Sequence, residues 1–133
     1  MSQENVKTVQ RVYEGVTARL KVPQELFDPD AELDQKDVPL DAVEVIHGLE
    51  AAQESMREYW EMFEDFHIEL IEVLHADEKQ VVTAIQDGGR MRGSDAEITN
   101  RFFHVWSFDG GKIIRLSIHA ERDQALEAAG LSE

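Results

Sequence analysis

Apolar residues recur at helical spacing at the start of the chain. Val6, Val9, Tyr13, Val16 and Leu20 fall on one face, which predicts an amphipathic helix from about Gln3 to Leu20 with Ser2 as its N-cap. Pro23 opens a second, short helix, PQELF, where proline is tolerated, and Asp28-Pro29-Asp30 closes it. A short strand follows from Ala31 to Gln35, and Lys36 to His47 reads as irregular with Pro39 inside it. Gly48 then leads into LEAAQESMREYWEMFEDF. Its Leu49, Ala52, Met56, Tyr59, Trp60 and Phe63 make the broad apolar stripe of a long amphipathic helix.

After Asp65 the period changes. FHIELIEVLHAD is rich in β-branched and large apolar residues, and its Leu70-Ile71 pair breaks strict alternation as a bulge does. KQVVTAIQDGGRMRG, AEITNRFFHVWSF and KIIRLSIHAER read as further strands, joined by turns at Gly93-Ser94-Asp95 and Asp109-Gly110-Gly111. DQALEAAGL closes the chain as a short helix with Gly130 as its stop. Helices first and hairpin-joined strands afterwards predict an α+β fold with an antiparallel sheet. No repeat or linker interrupts the order, so residues 1–133 are expected to form one domain.

Composition narrows the partners more than the fold. With 42% hydrophobic and 31% charged residues the chain reads as an ordinary globular protein. Its formal net charge of -15 repels phosphate backbones and anionic bilayers, so neither nucleic acid nor membrane is an expected partner. The acidic surface reads as a solubility device, with the repulsion or recruitment of a partner as the other option. No apolar run approaches the roughly 20 residues that span a bilayer, and MSQENVKTVQ lacks an apolar signal core. A cytoplasmic location is therefore expected. The absence of cysteine excludes disulfides, thiolate metal sites and a cysteine nucleophile.

Four stretches in order, MSQENVKTVQRVYEG, LFDPDAEL, IHGLEAAQESMREYW and FFHVWSFDGGKIIRLSIHAERDQALEAAGL, resemble the SnoaL-like proteins. These belong to the nuclear-transport-factor-2-like superfamily with the ketosteroid isomerases and polyketide cyclases. The resemblance implies a cone: a curved antiparallel sheet wrapped on N-terminal helices (a cystatin-like α+β barrel) around a pocket open at one end, usually in a homodimer. It also implies site positions. The isomerases' tyrosine falls at Val12, with Tyr13 about 100° further round the helix. Their general-base aspartate falls at Gln35, while Asp34 points to the other face of a strand. Their protonated aspartate falls at His104, which can donate a hydrogen bond. The cyclases' histidine on the penultimate strand also matches His104, but their aspartate on the last strand falls at about Ile118, which is neither acid nor base. Neither mechanism is complete in this chain.

Strand alternation supplies the rest. With His104 inward, Phe102, Trp106 and Phe108 are inward too, and Arg101, Phe103, Val105 and Ser107 face out. On the last strand Leu116, Ile118 and Ala120 are inward, and Arg115, Ser117, His119 and Glu121 outward. A two-residue turn at Ser94-Asp95 sets Ile85 opposite His104 and Asp87 opposite Phe102, with Thr83 also inward. The candidate catalytic pair is thus His104 with Asp87, the carboxylate orienting the imidazole of a general base. The candidate substrate-binding residues are Tyr13, Gln35, Trp60, Ile85, Phe102, Trp106, Leu116 and Ile118, a largely apolar lining suited to a small apolar ligand. Each has a plainer reading: His104 as a hydrogen-bonded core histidine, Asp87 as a residue shaping the bend at Gly88-Gly89, the tryptophans and Phe63 as core.

No cofactor or metal is expected. His67 and His75 are eight residues apart on one strand, beyond a local chelate. GGRMRG lacks the following helix of a phosphate cradle, and no Gly-x-Ser-x-Gly occurs. Phe103 and Val105 among polar neighbours on the outer sheet face suggest a second subunit there. Three readings stand: an acid-base enzyme (isomerase, cyclase or dehydratase type) acting on a carbonyl-like compound, a non-catalytic binding module, and an interaction domain with a vestigial pocket.

Overall fold

The computed structural model describes residues 2–37 and 45–131. In order these form α1 (Ser2–Arg19), a single 3-10 turn (Gln24–Leu26), β1 (Phe27–Asp37), β2 (Val45–His47), α2 (Leu49–Trp60), β3 (His67–Ala76), β4 (Gln80–Arg90), β5 (Glu97–Asp109), β6 (Lys112–His119) and α3 (Arg122–Ala128). The fold is α+β. Its six strands run β2-β1-β6-β5-β4-β3, with both edge strands unpaired, so the sheet is curved but not closed. Breaks in register within the β1–β6, β3–β4 and β5–β6 pairings bend it.

The helices α1 and α2 lie on one face. Val9, Val12, Tyr13 and Val16 of α1 meet Val81, Ile85 and Trp106 of the sheet in the main core. Each fully buried aliphatic side chain there contributes about 1.5–3 kcal/mol over its exposed state. On the other face α3 packs Ala125 and Leu126 against Val82, Val105 and Phe103. The outer face expected to receive a second subunit is thus partly covered by the chain's own last helix. Among the described residues, no helix is long and apolar enough to cross a membrane.

The structure departs from the pattern-based expectations in instructive places. β1 and β6 pair in parallel, the one such pairing in the described sheet; a long-range pairing of this kind has no turn to announce it. β1 runs from Phe27 to Asp37, well beyond the expected Ala31 to Gln35. It tolerates Pro29 because the ladder with β6 is interrupted between Phe27 and Glu32, where a missing N–H costs nothing. Pro23 heads one 3-10 turn rather than a helix. α2 stops at Trp60 because the following residues are taken up by the β4–β5 hairpin. Phe63 bridges Met91, and Arg92 N donates to Met62 O at 3.0 Å. α1 includes Ser2 itself, so the cap position and Pro39 lie outside the described residues.

The β4–β5 register decides the site. Thr83 lies opposite His104, Ile85 opposite Phe102 and Asp87 opposite Asn100. The hairpin turns about Gly93-Ser94, one position earlier than expected, with Met91 N bonded to Ala96 O at 3.0 Å. Gly93 supplies the left-handed backbone (φ 75°) the turn needs. Moving a turn centre by one residue moves every cross-strand pair by two, so the faces are as expected and the partners are not.

Candidate functional site

A cavity opens between α1, α2 and the inner face of the sheet. Val12, Tyr13 and Val16 line it from α1, and Leu49, Ala52, Met56 and Trp60 from α2. Leu33, His104, Trp106, Ile113 and Leu116 line it from the sheet. The cavity has a volume of about 60 Å³ and opens to solvent at one end.

Besides Glu32 and Gln53 in its lining, the polar content of the cavity is one hydrogen-bonded cluster built on Tyr13. Its hydroxyl is 2.8 Å from Thr83 Oγ1 and 2.8 Å from His104 Nδ1, and accepts from Trp106 Nε1 at 2.9 Å. The rings of Tyr13, His104 and Trp106 also pack at centroid distances of 5.6–5.8 Å, the tryptophan edge-on to both others. All four residues are buried. Burial pushes the Tyr13 hydroxyl well above its ordinary pKa and the His104 imidazole down to about 3, with the charge of His119 a smaller contribution to the latter. The cluster is therefore uncharged at neutral pH. His104 Nε2 has no partner among the described residues, yet none of their fully buried side-chain nitrogens or oxygens lacks one. Nε2 therefore opens onto the cavity.

Asp87 does not join this cluster. It accepts from Tyr59 Oη at 2.9 Å, and Asn100 Nδ2 lies 3.0 Å from Tyr59 Oη and 3.4 Å from Asp87 Oδ1. The expected Asp87–His104 pair is corrected by the register, which sets Asp87 opposite Asn100. Burial raises the Asp87 carboxyl to about 6, opposed by the Tyr59 and Asn100 hydrogen bonds and by nearby His67. Burial, and then the Asp87 charge, push Tyr59 well above its ordinary value.

Of the expected substrate-binding residues, Tyr13, Trp60, Trp106 and Leu116 line the cavity together with His104. Ile85 is fully buried in the main core behind it. Phe102 and Ile118 form a second layer with Leu33, Met56 and Leu116, and Gln35 is buried in β1 outside the lining. Thr83 and Asn100 were the polar residues to weigh further. Both sit at inward strand positions, where a buried polar group needs a named partner.

A second chain of polar groups lies on the opposite face. His119 Nδ1 is 2.6 Å from Asp37 Oδ2, and His119 Nε2 is 2.9 Å from Ser117 Oγ. This is the connectivity of an acid–histidine–serine triad. Nevertheless, Ser117 lies inside the sheet, opposite Val105 on one side and Asp34 on the other, and both Ser117 and His119 are buried. The arrangement ties β1 to β6, as does Arg115, which bonds Glu32 Oε1 at 2.6 Å and also pairs with Asp34. No group of three or more potential metal ligands occurs among the described residues.

Comparison with known proteins agrees with the geometry. A family profile described as SnoaL-like domain matches residues 9–116. Among solved structures, Bal32a from a soil-derived mobile gene cassette is 22% identical over 96% of each chain, with a TM-score of 0.77. A protein provisionally named a SnoaL-like polyketide cyclase from Jannaschia sp. CCS1 is 18% identical over 98% of this chain and 92% of its own, at 0.75. A hypothetical protein with a ketosteroid isomerase-like fold from Catenulispora acidiphila DSM 44928, solved with trimethylamine, is 16% identical over 98% and 95%, at 0.67. At these identities the likeness is one of fold. No curated protein matches the chain.

The carboxyl of Asp87 generates a pH dependence of known sign. Its pKa is higher folded (about 6) than unfolded (3.8), so its stabilising contribution is complete below the lower value and is lost as pH rises through the upper one. Urea titrations at pH 4.5 and 7.5 should show Asp87→Asn removing about 2 kcal/mol of this pH-dependent stability, the part of the shift that falls between those two pH values. His104 acts in the opposite direction, so the quantity to read is wild type minus variant. Superimposable pH profiles would contradict the raised carboxyl.

Proposed function

The chain belongs to the SnoaL-like domain family, and on that premise we propose that its cone binds a small, uncharged, mostly apolar molecule through one hydrogen bond to His104. The observation that carries this is His104 Nε2, which has no partner among the described residues and faces a mostly apolar cavity. A cavity volume of about 60 Å³ suits a ligand of a few heavy atoms. Among the described lining residues the one charged side chain, Glu32, is already paired with Arg115, so a charged ligand would be stripped of water with little to compensate it.

Acid-base turnover of a carbonyl-like compound has less support. A histidine whose conjugate acid is so disfavoured is a weak base at neutral pH, and among the described residues no carboxylate bonds to it to stabilise the cation. A vestigial, filled cone also has less support, since Trp60 and Trp106 line open space. In this reading His104, Tyr13, Trp60, Trp106 and Leu116 form the site, residues 1–133 act as one domain, and the cysteine-free acidic chain works in the cytoplasm.

A homodimer through the outer sheet face is a further part of the reading. The chain's own helix covers Val105, but Ile114 on β6 remains exposed. Sedimentation equilibrium should return twice 15.2 kDa; a single-chain mass at micromolar concentration contradicts it.

A ligand-observed NMR screen of small ketones, esters and alcohols tests the site directly. Hits on the wild type should weaken about fivefold to tenfold in His104→Ala, the worth of one neutral hydrogen bond of about 1–1.4 kcal/mol. Hits that bind both proteins equally would sink the reading.

A further inference from the structure

The hydrogen-bonded cluster around Tyr13 also fixes which proton His104 carries, and so the kind of ligand it takes. The indole N–H of Trp106 can only donate, and it points at Tyr13 Oη. The two remaining contacts, Thr83 Oγ1 and His104 Nδ1, must share the single phenolic proton. There are two ways to do this. If Tyr13 donates to Thr83, His104 Nδ1 must be protonated and donate to Tyr13. The Thr83 hydroxyl proton is then left over. Thr83 is fully buried and has no other hydrogen-bond partner among the described residues, so that proton is stranded. If Tyr13 instead donates to His104 Nδ1, Thr83 donates to Tyr13 beside Trp106, and every donor that meets Tyr13 is used.

The second arrangement leaves one donor over, in the useful place. With Nδ1 as an acceptor, the neutral imidazole carries its proton on Nε2, the atom that opens onto the cavity. We propose that Thr83, Trp106 and Tyr13 form a directional relay that locks His104 as its Nε2–H tautomer, so that the buried cluster presents one N–H donor to the cavity and selects a small ligand with a neutral acceptor oxygen, such as a ketone, aldehyde or ester carbonyl. The donor assignment stands on the cluster alone; the ligand class rests on the reading of the cavity as a binding site. Tyr13 is in this scheme a positioning residue, acting on the ligand only through His104.

The relay is tested on the ligand-free protein labelled with ¹⁵N-histidine. Long-range ¹H–¹⁵N correlation at pH 7 should give His104 a protonated, pyrrole-type Nε2 and an unprotonated, pyridine-type Nδ1. The reverse pattern overturns the proposal. Tyr13→Phe removes the relay while keeping the ring, and should turn the single tautomer into an exchanging mixture in a protein that retains its dispersed spectrum. An unchanged pure Nε2–H pattern in that variant would overturn the role of Tyr13. Thr83→Val, by contrast, leaves Tyr13 no acceptor except His104 and should preserve the wild-type pattern.

The ligand class is tested with three five-membered rings of similar size. Cyclopentanone carries only an acceptor, pyrrole only an N–H donor, and cyclopentene neither. Cyclopentanone should bind the wild type at least fivefold more tightly than the other two. Tighter binding of pyrrole contradicts an N–H donor in the cavity. Failure of all three to bind overturns the ligand reading, and the ¹⁵N pattern then supports or overturns the tautomer by itself.

Discussion

The phenolic oxygen of Tyr13 is the point on which the interior of this cone depends. Helix α1 carries it across the apolar interior to the sheet, where one oxygen satisfies Thr83 on β4 and His104 and Trp106 on β5. Each of these three would be costly to bury alone, at about 1–3 kcal/mol for an unpaired polar group. Together they pass their hydrogen bonds through a single atom and leave most of the wall apolar. The same economy explains the electrostatics. Burial governs His104 and keeps it neutral. The site that results is suited to recognising a polar atom rather than to moving protons.

The two unusual titratable groups on the inner face are kept apart by two steps of register. Asp87 is held by Tyr59 and Asn100, so its hydrogen bonds fasten α2 to β4 and β5. His104 is held by Tyr13, which fastens α1. Each helix over the sheet thus has a polar anchor on the inner face, α1 adding Thr17 at β3 and Asn5 at the turn after it, and α2 also supplies much of the cavity wall. On the outer face, Asp37, His119 and Ser117 perform the same service for the parallel β1–β6 pairing.

Much of this was legible in the sequence because alternation is a parity signal. Phe102, His104, Trp106 and Phe108 share a face whatever the exact turn, and Thr83, Ile85 and Asp87 share it as well. Parity cannot fix register, however. A turn centred on Gly93-Ser94 instead of Ser94-Asp95 moves Asp87 away from His104 and brings Thr83 to it, which changes the chemistry without changing the pattern. The early end of α2 and the parallel strand pairing were illegible for a related reason, since both depend on partners distant in sequence. Family resemblance pointed to His104 but not to Tyr13 as its partner; the hydroxyl reaches the histidine from a neighbouring position on the same helix.

The central claim is that His104 is a neutral group held by Tyr13. The most direct measurement is the ¹H–¹³C resonance of its Cε1–H group followed from pH 8 to pH 5. With the pKa driven down to about 3 by burial, the account predicts no titration of His104 across that range. A His104 midpoint between pH 6 and 7 would mean that the imidazole ionises freely, and the uncharged, single-donor cluster described here would not exist.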